Sequence, residues 1–242
     1  MSRWVERYRD GQCRQVWTEM TSIGPDLRAD HAVAAEAAIV VRETLRRARR
    51  NVERLVDQLP RFGFEFEATP LVDPPSDAAT QLDALEAEVG LLPLSLRHWF
   101  EEVGHVNLNG AHPDWAFEYP DPLVVDAPSE YIRSEYEAWS ADRGTEWDRG
   151  AAFEVPIAPD YLHKANVSGG IPYGLAIPNP GVDGLLLWES HQTTFVNYLR
   201  IAFCMGGMPG WQRVPALLEE WALPEDAPPD WLLALGRELE SL

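Results

Sequence analysis

Histidines, cysteines and a large excess of carboxylates are the residues of this chain with reaction chemistry in them. The histidines are His31, His98, His105, His112, His163 and His191. None forms HxH or HExxH, the spacings that aim two imidazoles at one zinc ion. His105 and His112 can meet Asp114 across a loop, but solvated loop side chains are the simpler reading. Cys13 and Cys204 lie far apart with no CxxC motif, so neither a disulfide framework nor a structural zinc is expected. Cys204 stands in the apolar run IAFCMGG, which reads as packing rather than as an activated thiolate. No GxSxG nucleophile elbow occurs. Carboxylates crowd together at Glu101 and Glu102, at Asp114 and Glu118, and at Asp121 and Asp126. A glycosidase needs two of these across a sugar, and Trp99, Trp115, Trp139, Trp147, Trp188 and Trp211 could stack on one. Acids are so frequent here that such pairs arise by chance. The expectation is a chain with no catalytic constellation, no metal site and no cofactor.

Two further patterns bear on binding. The stretch SGGIPYGLAIPNPGVDGLLLWE, Ser168 to Glu189, is rich in glycine. A phosphate loop needs a lysine and a hydroxyl after its glycines and then a helix. The one lysine, Lys164, precedes them, and an apolar run follows. Two apolar runs around PNPGVDG predict a β-hairpin instead. The second pattern is an arginine stripe. Arg42, Arg46, Arg49, Arg50 and Arg54 recur on neighbouring turns of one helix, off its apolar face. Glu43 and Glu53 satisfy part of it at helical spacing. The simpler reading is a solvated face; the sharper one is docking on acidic residues of the same chain or of a dimer mate, and nucleic-acid binding comes third because the acidic remainder opposes it.

These residues need a scaffold, and 242 residues of which 45% are apolar can build a sizeable core. The first 66 residues read as an α-helical hairpin. Trp4, Val5, Tyr8, Val16, Trp17 and Met20 mark a first helical segment broken at Gly11. A long second helix spans Ala29 to Leu59, with Asp30 as its cap and Pro60 and Gly63 as its stop. The pair in FGFEF is a short strand. Residues 67–76, EATPLVDPPS, read as a linker. Residues 77–242 read as a mixed domain. Helices are predicted in SDAATQLDALEAEVG (capped by Ser76 or Asp77), in LPLSLRHWFEEVG (opened by Pro93) and in PSEYIRSEYEAWSADRG (capped by Ser129). Strands are predicted in WAFEY, PLVVD, FEVPIA, YGLAIP and LLLWE. Segregated strand and helix runs favour an α+β fold, with a mixed or antiparallel sheet flanked by helices and a C-terminal helical tail.

The order of motifs in this domain resembles the SUKH superfamily, which includes Smi/Knr-type fungal cell-wall regulators and bacterial immunity proteins. Leu92, Pro93, Leu96, Trp99 and Phe100 match its LP…L…F helix. Phe195, Leu199, Gly206, Gly207, Pro209, Gly210 and Trp211 match its late aromatic strand, helix and GG.PG ending. The resemblance covers roughly residues 77–211. The usual NG after the first helix is replaced by VGHVN, and the N-terminal helices are an addition to the family core. The resemblance implies a SUKH-like domain and an intracellular immunity role: binding a toxin domain and blocking its active site.

Charge points the same way independently. The net charge is −19, with 12 basic and 10 acidic residues up to Phe66 and 8 basic and 29 acidic residues after it. Such a field repels nucleic acid and anionic membranes and steers a basic partner inward, solubility alone being the simpler reading. No signal-peptide pattern and no apolar run of ~18–20 residues is present, so a cytoplasmic protein is expected. The expected function is that of a non-enzymatic binding module for a basic, nuclease-like toxin domain. A cell-wall-type regulatory scaffold is the alternative, and a glycan-directed protein comes third. Expected contact residues are loop acids and aromatics: Asp114, Trp115, Glu118, Asp121, Glu146, Trp147 and Asp148. A homodimer through the arginine stripe stays open.

Overall fold

The computed structural model describes residues 4–115, 120–148, 150–212 and 227–242. The N-terminal hairpin forms as its pattern dictates. Helices α1 (Val5–Arg9) and α2 (Cys13–Ile23), parted at Gly11, lie along α3 (His31–Gln58). The Asp30 carboxylate accepts from the amides of Ala32 (2.9 Å) and Val33 (3.2 Å), capping α3. At 1.5 Å per residue the 28-residue helix is about 42 Å long. Its buried stripe, including Ala37, Val40, Val41, Ala48, Val52 and Leu55, meets Trp4, Tyr8, Val16, Trp17 and Met20. One polar member of that stripe, Thr44, is satisfied: the Trp17 indole donates to its hydroxyl (3.1 Å), and Tyr8 Oη lies 2.7 Å away. A 3-10 turn through Pro60 and a left-handed Gly63 (φ 94°) end the helix.

The rest is α+β, with every strand pairing among the described residues antiparallel. Strand β1 (Glu65–Phe66) pairs with β4 (Gly110–Ala111). Strands β2 (Leu71–Val72), β3 (His105–Asn107) and β5 (Val124–Val125) form a second sheet in the order β2-β3-β5. Strands β6 (Phe153–Ala158) and β7 (Tyr173–Ile177) form a two-stranded ribbon. One bond, Asp126 N to Ile157 O at 2.9 Å, ties the ribbon to the second sheet. Around the strands pack α4 (Ala78–Val89), α5 (Leu94–Glu102), α6 (Ser129–Asp142), α7 (Tyr161–Lys164), α8 (Phe195–Cys204) and α9 (Asp230–Glu238). Helix α5 also packs on α3, and its Trp99 meets Phe195 of α8 edge-on at 5.6 Å. One buried apolar cluster runs from Trp4 through α3 and the strands to Leu242.

Several sequence expectations need correction. Residues 67–76 contain β2, an edge strand whose flanking prolines are compatible with an edge but not with a sheet interior. LLLWE is no strand; it makes only the isolated bridges Gly174–Leu187 and Leu185–Thr194. Phe195 opens α8 directly, without a preceding strand. Pro93 is the residue before the first turn of α5 rather than within it. Asp77 makes no capping bond to α4 amides, and Ser129 lies inside α6 without capping it. Cys204 ends α8 exposed rather than packed. WAFEY falls mostly outside the described residues.

The glycine-rich stretch holds the starts of two helices. Gly181 O and Val182 O accept from the amides of Leu94 (3.1 Å) and Ser95 (2.9 Å), donors that open α5. The buried Asp183 carboxylate accepts from Ser95 Oγ (2.8 Å), Gly184 N (3.0 Å) and Val196 N (3.2 Å), joining α5 to the start of α8. Burial pushes the Asp183 carboxyl up to about 6, against the pull of these donors and of Thr194.

Candidate functional site

The seven expected contact residues do not form one surface. Trp115 and Asp121 line a cleft of about 460 Å³ with Glu67, His112, Tyr161 and Lys164. Trp147 and Asp148 line a separate cleft of about 650 Å³. Asp114 is exposed in the turn before Trp115, Glu146 is exposed beside Trp147, and Glu118 lies outside the described residues.

In the first cleft the aromatic residue is already occupied. Trp115 is half-buried, stacked on His112 (5.2 Å) and Trp231 (6.0 Å), and edge-on to Trp211 (5.9 Å). Trp231 in turn stacks on Phe62 at 4.6 Å. This ladder pins α9 to the body of the fold. Asp121 is no surface acid: it is 3% exposed. Its Oδ1 accepts from Lys164 Nζ (2.7 Å) and its Oδ2 from Tyr173 Oη (3.1 Å), while the ammonium lies over the Tyr173 ring at 4.7 Å. Burial pushes the Asp121 carboxyl up, and Lys164 pulls it back. Burial, then the charge of Asp121, drives the Tyr173 phenol well above its ordinary value. All three groups satisfy one another, so the arrangement is a staple between the 121 loop, α7 and β7. Nearby, burial opposes the His191 proton, but Glu189 and the Gln212 carbonyl outweigh it and raise the pKa. His105 and His112 turn to separate partners, Asp126 (3.1 Å) and Phe62 O (2.7 Å). Among the described residues no group of three or more His, Cys, Asp or Glu is placed to hold a metal ion.

The second cleft presents its aromatics to solvent. Phe153 of β6 and Trp139 of α6 line it, and Tyr136 packs against both, with ring centroids 5.1–5.6 Å apart. One wall is the loop after α6. There the Asp148 carboxylate accepts from Gly144 N and Gly150 N, each at 2.8 Å, and from Arg143 at 3.0 Å. The two glycine amides hold Asp148 below the usual carboxylate range. This small knot displays Trp147, which is 69% exposed. Trp188 also lines the cleft, 55% exposed, with φ at 65°. A left-handed backbone is costly for a bulky side chain. Glu154 of β6 fixes the ring by accepting its indole N–H at 2.6 Å. The intervening strand contributes Gly174 on that face, with no side chain in the way. Glu135, Asp142, Asp148 and Glu154 bring carboxylates to the lining, and Arg143 lies over Trp139 at 5.2 Å. Trp139 and Trp188 entered the sequence reading only as general stacking candidates, and Glu154 and Ile171 not at all.

The arginine stripe finds its acids within the chain. Arg42 reaches Glu101 (3.7 Å) and Glu102 (3.9 Å), and Arg46 binds Glu102 at 3.0 Å. Arg49 pairs with Glu53 (2.7 Å) and Asp73 and donates to Val103 O (2.8 Å), at the end of α5. Arg50 grips Glu240 in a two-bond fork (2.6 and 2.8 Å), and Arg54 donates to Glu238 O. Glu101 and Glu102 thereby tie α5 to α3.

The fold and cleft define an α+β protein with an acidic, tryptophan-lined groove. Comparison with known proteins returned no match: no family model, no curated protein and no solved structure matches the chain. No helix among the described residues is long and apolar enough to cross a membrane.

Proposed function

We propose that this chain is a non-enzymatic protein-binding module that grips a basic partner through the tryptophan cleft. The observation that carries this reading is the pair Trp147 and Trp188, exposed to solvent beside an acidic lining, the first on the turn knotted by Asp148 and the second bonded to Glu154. Exposed aromatic anchors inside a charged rim are the anatomy of an interface hot spot. With the resemblance noted above, the specific proposal is an intracellular immunity protein that occupies the basic substrate cleft of a nuclease-like toxin domain. A net charge of −19 supports rapid capture of such a partner. The test is affinity capture with the full chain, followed by association kinetics on the protein recovered. One tight basic partner is expected, with an association rate falling roughly tenfold or more between 50 and 500 mM salt. A rate that is flat with salt defeats the charge reading. Several weak partners in place of one tight one would favour a regulatory scaffold.

A further inference from the structure

We propose that the tryptophan cleft receives an arginine side chain of the partner, with the guanidinium taken against the indole rings and paired with the rim carboxylates. This rests on the reading that the partner docks at this cleft. Three features point to a guanidinium. Charge complementarity is the first: Glu135, Asp142, Asp148 and Glu154 share the lining of the groove with Trp147 and Trp188. A cation is favoured over an indole face and beside a carboxylate, and arginine is the cation that uses both, through its planar face and its fork of donors. The second feature is already built. Arg143 lies over Trp139 at 5.2 Å and bonds to Asp148 at 3.0 Å, so the cleft wall holds one guanidinium in the posture proposed for another. The third is the fixing of Trp188. Its left-handed backbone and its bond to Glu154 set the ring before any ligand arrives, and a pre-set ring lowers the ordering cost of binding.

The full chain is titrated with a capped Gly-Arg-Gly-Arg-Gly-Arg-Gly peptide and with its lysine and citrulline counterparts. Citrulline keeps the shape of arginine and loses the charge. Tryptophan fluorescence and calorimetry at 50 mM salt give the affinities. The arginine peptide is expected to bind about tenfold or more tightly than the citrulline peptide and several-fold more tightly than the lysine peptide. Trp147→Ala and Glu154→Gln are each expected to weaken it about fivefold or more, with unchanged thermal midpoints. Glu154→Gln keeps an acceptor for the Trp188 indole while removing the charge. Equal binding of arginine and citrulline peptides overturns the proposal, as does binding that neither substitution weakens. If salt-sensitive arginine binding survives both substitutions, the basic-partner reading stands and the cleft assignment falls. If no arginine or lysine peptide binds and no basic protein is captured, both fall together.

Discussion

At the scale of single residues, burial decides which charges are structural. Lys164 and Asp121 are 43 residues apart and have side chains 1% and 3% exposed. Removing one partner leaves the other charged and buried. Lys164→Met is therefore expected to cost about 3–5 kcal/mol in urea denaturation. The double variant Asp121→Asn/Lys164→Met should recover at least half of that loss, because no charge is then stranded; asparagine also tolerates the left-handed backbone at 121 (φ 47°). A double variant no more stable than Lys164→Met would show that the pair acts through packing alone. Asp183 yields a pH signature. Its folded pKa of about 6 lies above the unfolded carboxylate value, so the folded state binds the extra proton. The stability linked to it is fully present below the unfolded pKa and is lost as pH rises through about 6. Wild type should gain on Asp183→Asn by about 2–3 kcal/mol as pH falls from 7 to 4, measured as the difference of their denaturation free energies. A difference that does not change with pH would mean that the donors balance burial, and a wild type that loses on the variant as pH falls would mean that they outweigh it.

At the scale of elements, the C-terminal segment shows which contact holds and which only decorates. Helix α9 and the residues after it are held by Arg50, Arg54 and Asn51 of α3 and by the Trp231 ladder. The Arg50–Glu240 pair is about half exposed on both sides, so Arg50→Ala is expected to cost only about 0–1 kcal/mol. Asn51 is 2% exposed and binds both backbone groups of Glu240, donating to its carbonyl (2.9 Å) and accepting from its amide (2.7 Å). Asn51→Leu leaves those groups unpaired and should cost about 1–3 kcal/mol. Hydrogen exchange should then speed up across 230–242 while the amides of α3 stay protected. If Arg50→Ala loosens the segment more than Asn51→Leu, the ranking by burial is wrong. Elements with local signals were legible in the sequence: α3 had an apolar period of three and four and a capping aspartate. The hairpin of α1–α2 on α3 followed from that apolar face. Strand β2 was hidden because Pro70, Pro74 and Pro75 read as a linker, and only pairing with β3 makes an edge strand of Leu71 and Val72. The tryptophan cleft was legible only in part. Trp147 and Asp148 stand on a turn that sequence rules favour. Trp139, Glu154 and Trp188 come from three other elements, and no local pattern announces that they meet. Asp121 was misplaced on the surface for the same reason, its lysine lying far along the chain.

At the scale of the molecule, two opposite electrostatic responses should coexist. Pairing the arginine stripe internally places Arg42, Arg46, Arg49 and Arg50 against Glu101, Glu102, Asp73 and Glu240, so the basic part of the chain neutralises acids of the remainder. Yet the whole chain still carries −19. Exposed ion pairs contribute little each, about 0–1 kcal/mol, and salt removes part of that. Self-repulsion among an excess of like charges grows with the product of the charges and is relieved by the same salt. Repulsion wins if the excess charge is spread over the surface. The thermal midpoint of the free protein should then rise by roughly 2–4 °C per kcal/mol of relief between 20 and 300 mM salt. Association with a basic partner should weaken over that same range, because there the salt screens attraction. The two measurements share one charge distribution and must move in opposite directions. A midpoint that falls with salt would mean that the pairs binding α3 to α5, β2 and the C-terminal segment dominate stability. The acidic excess would then act on partners alone.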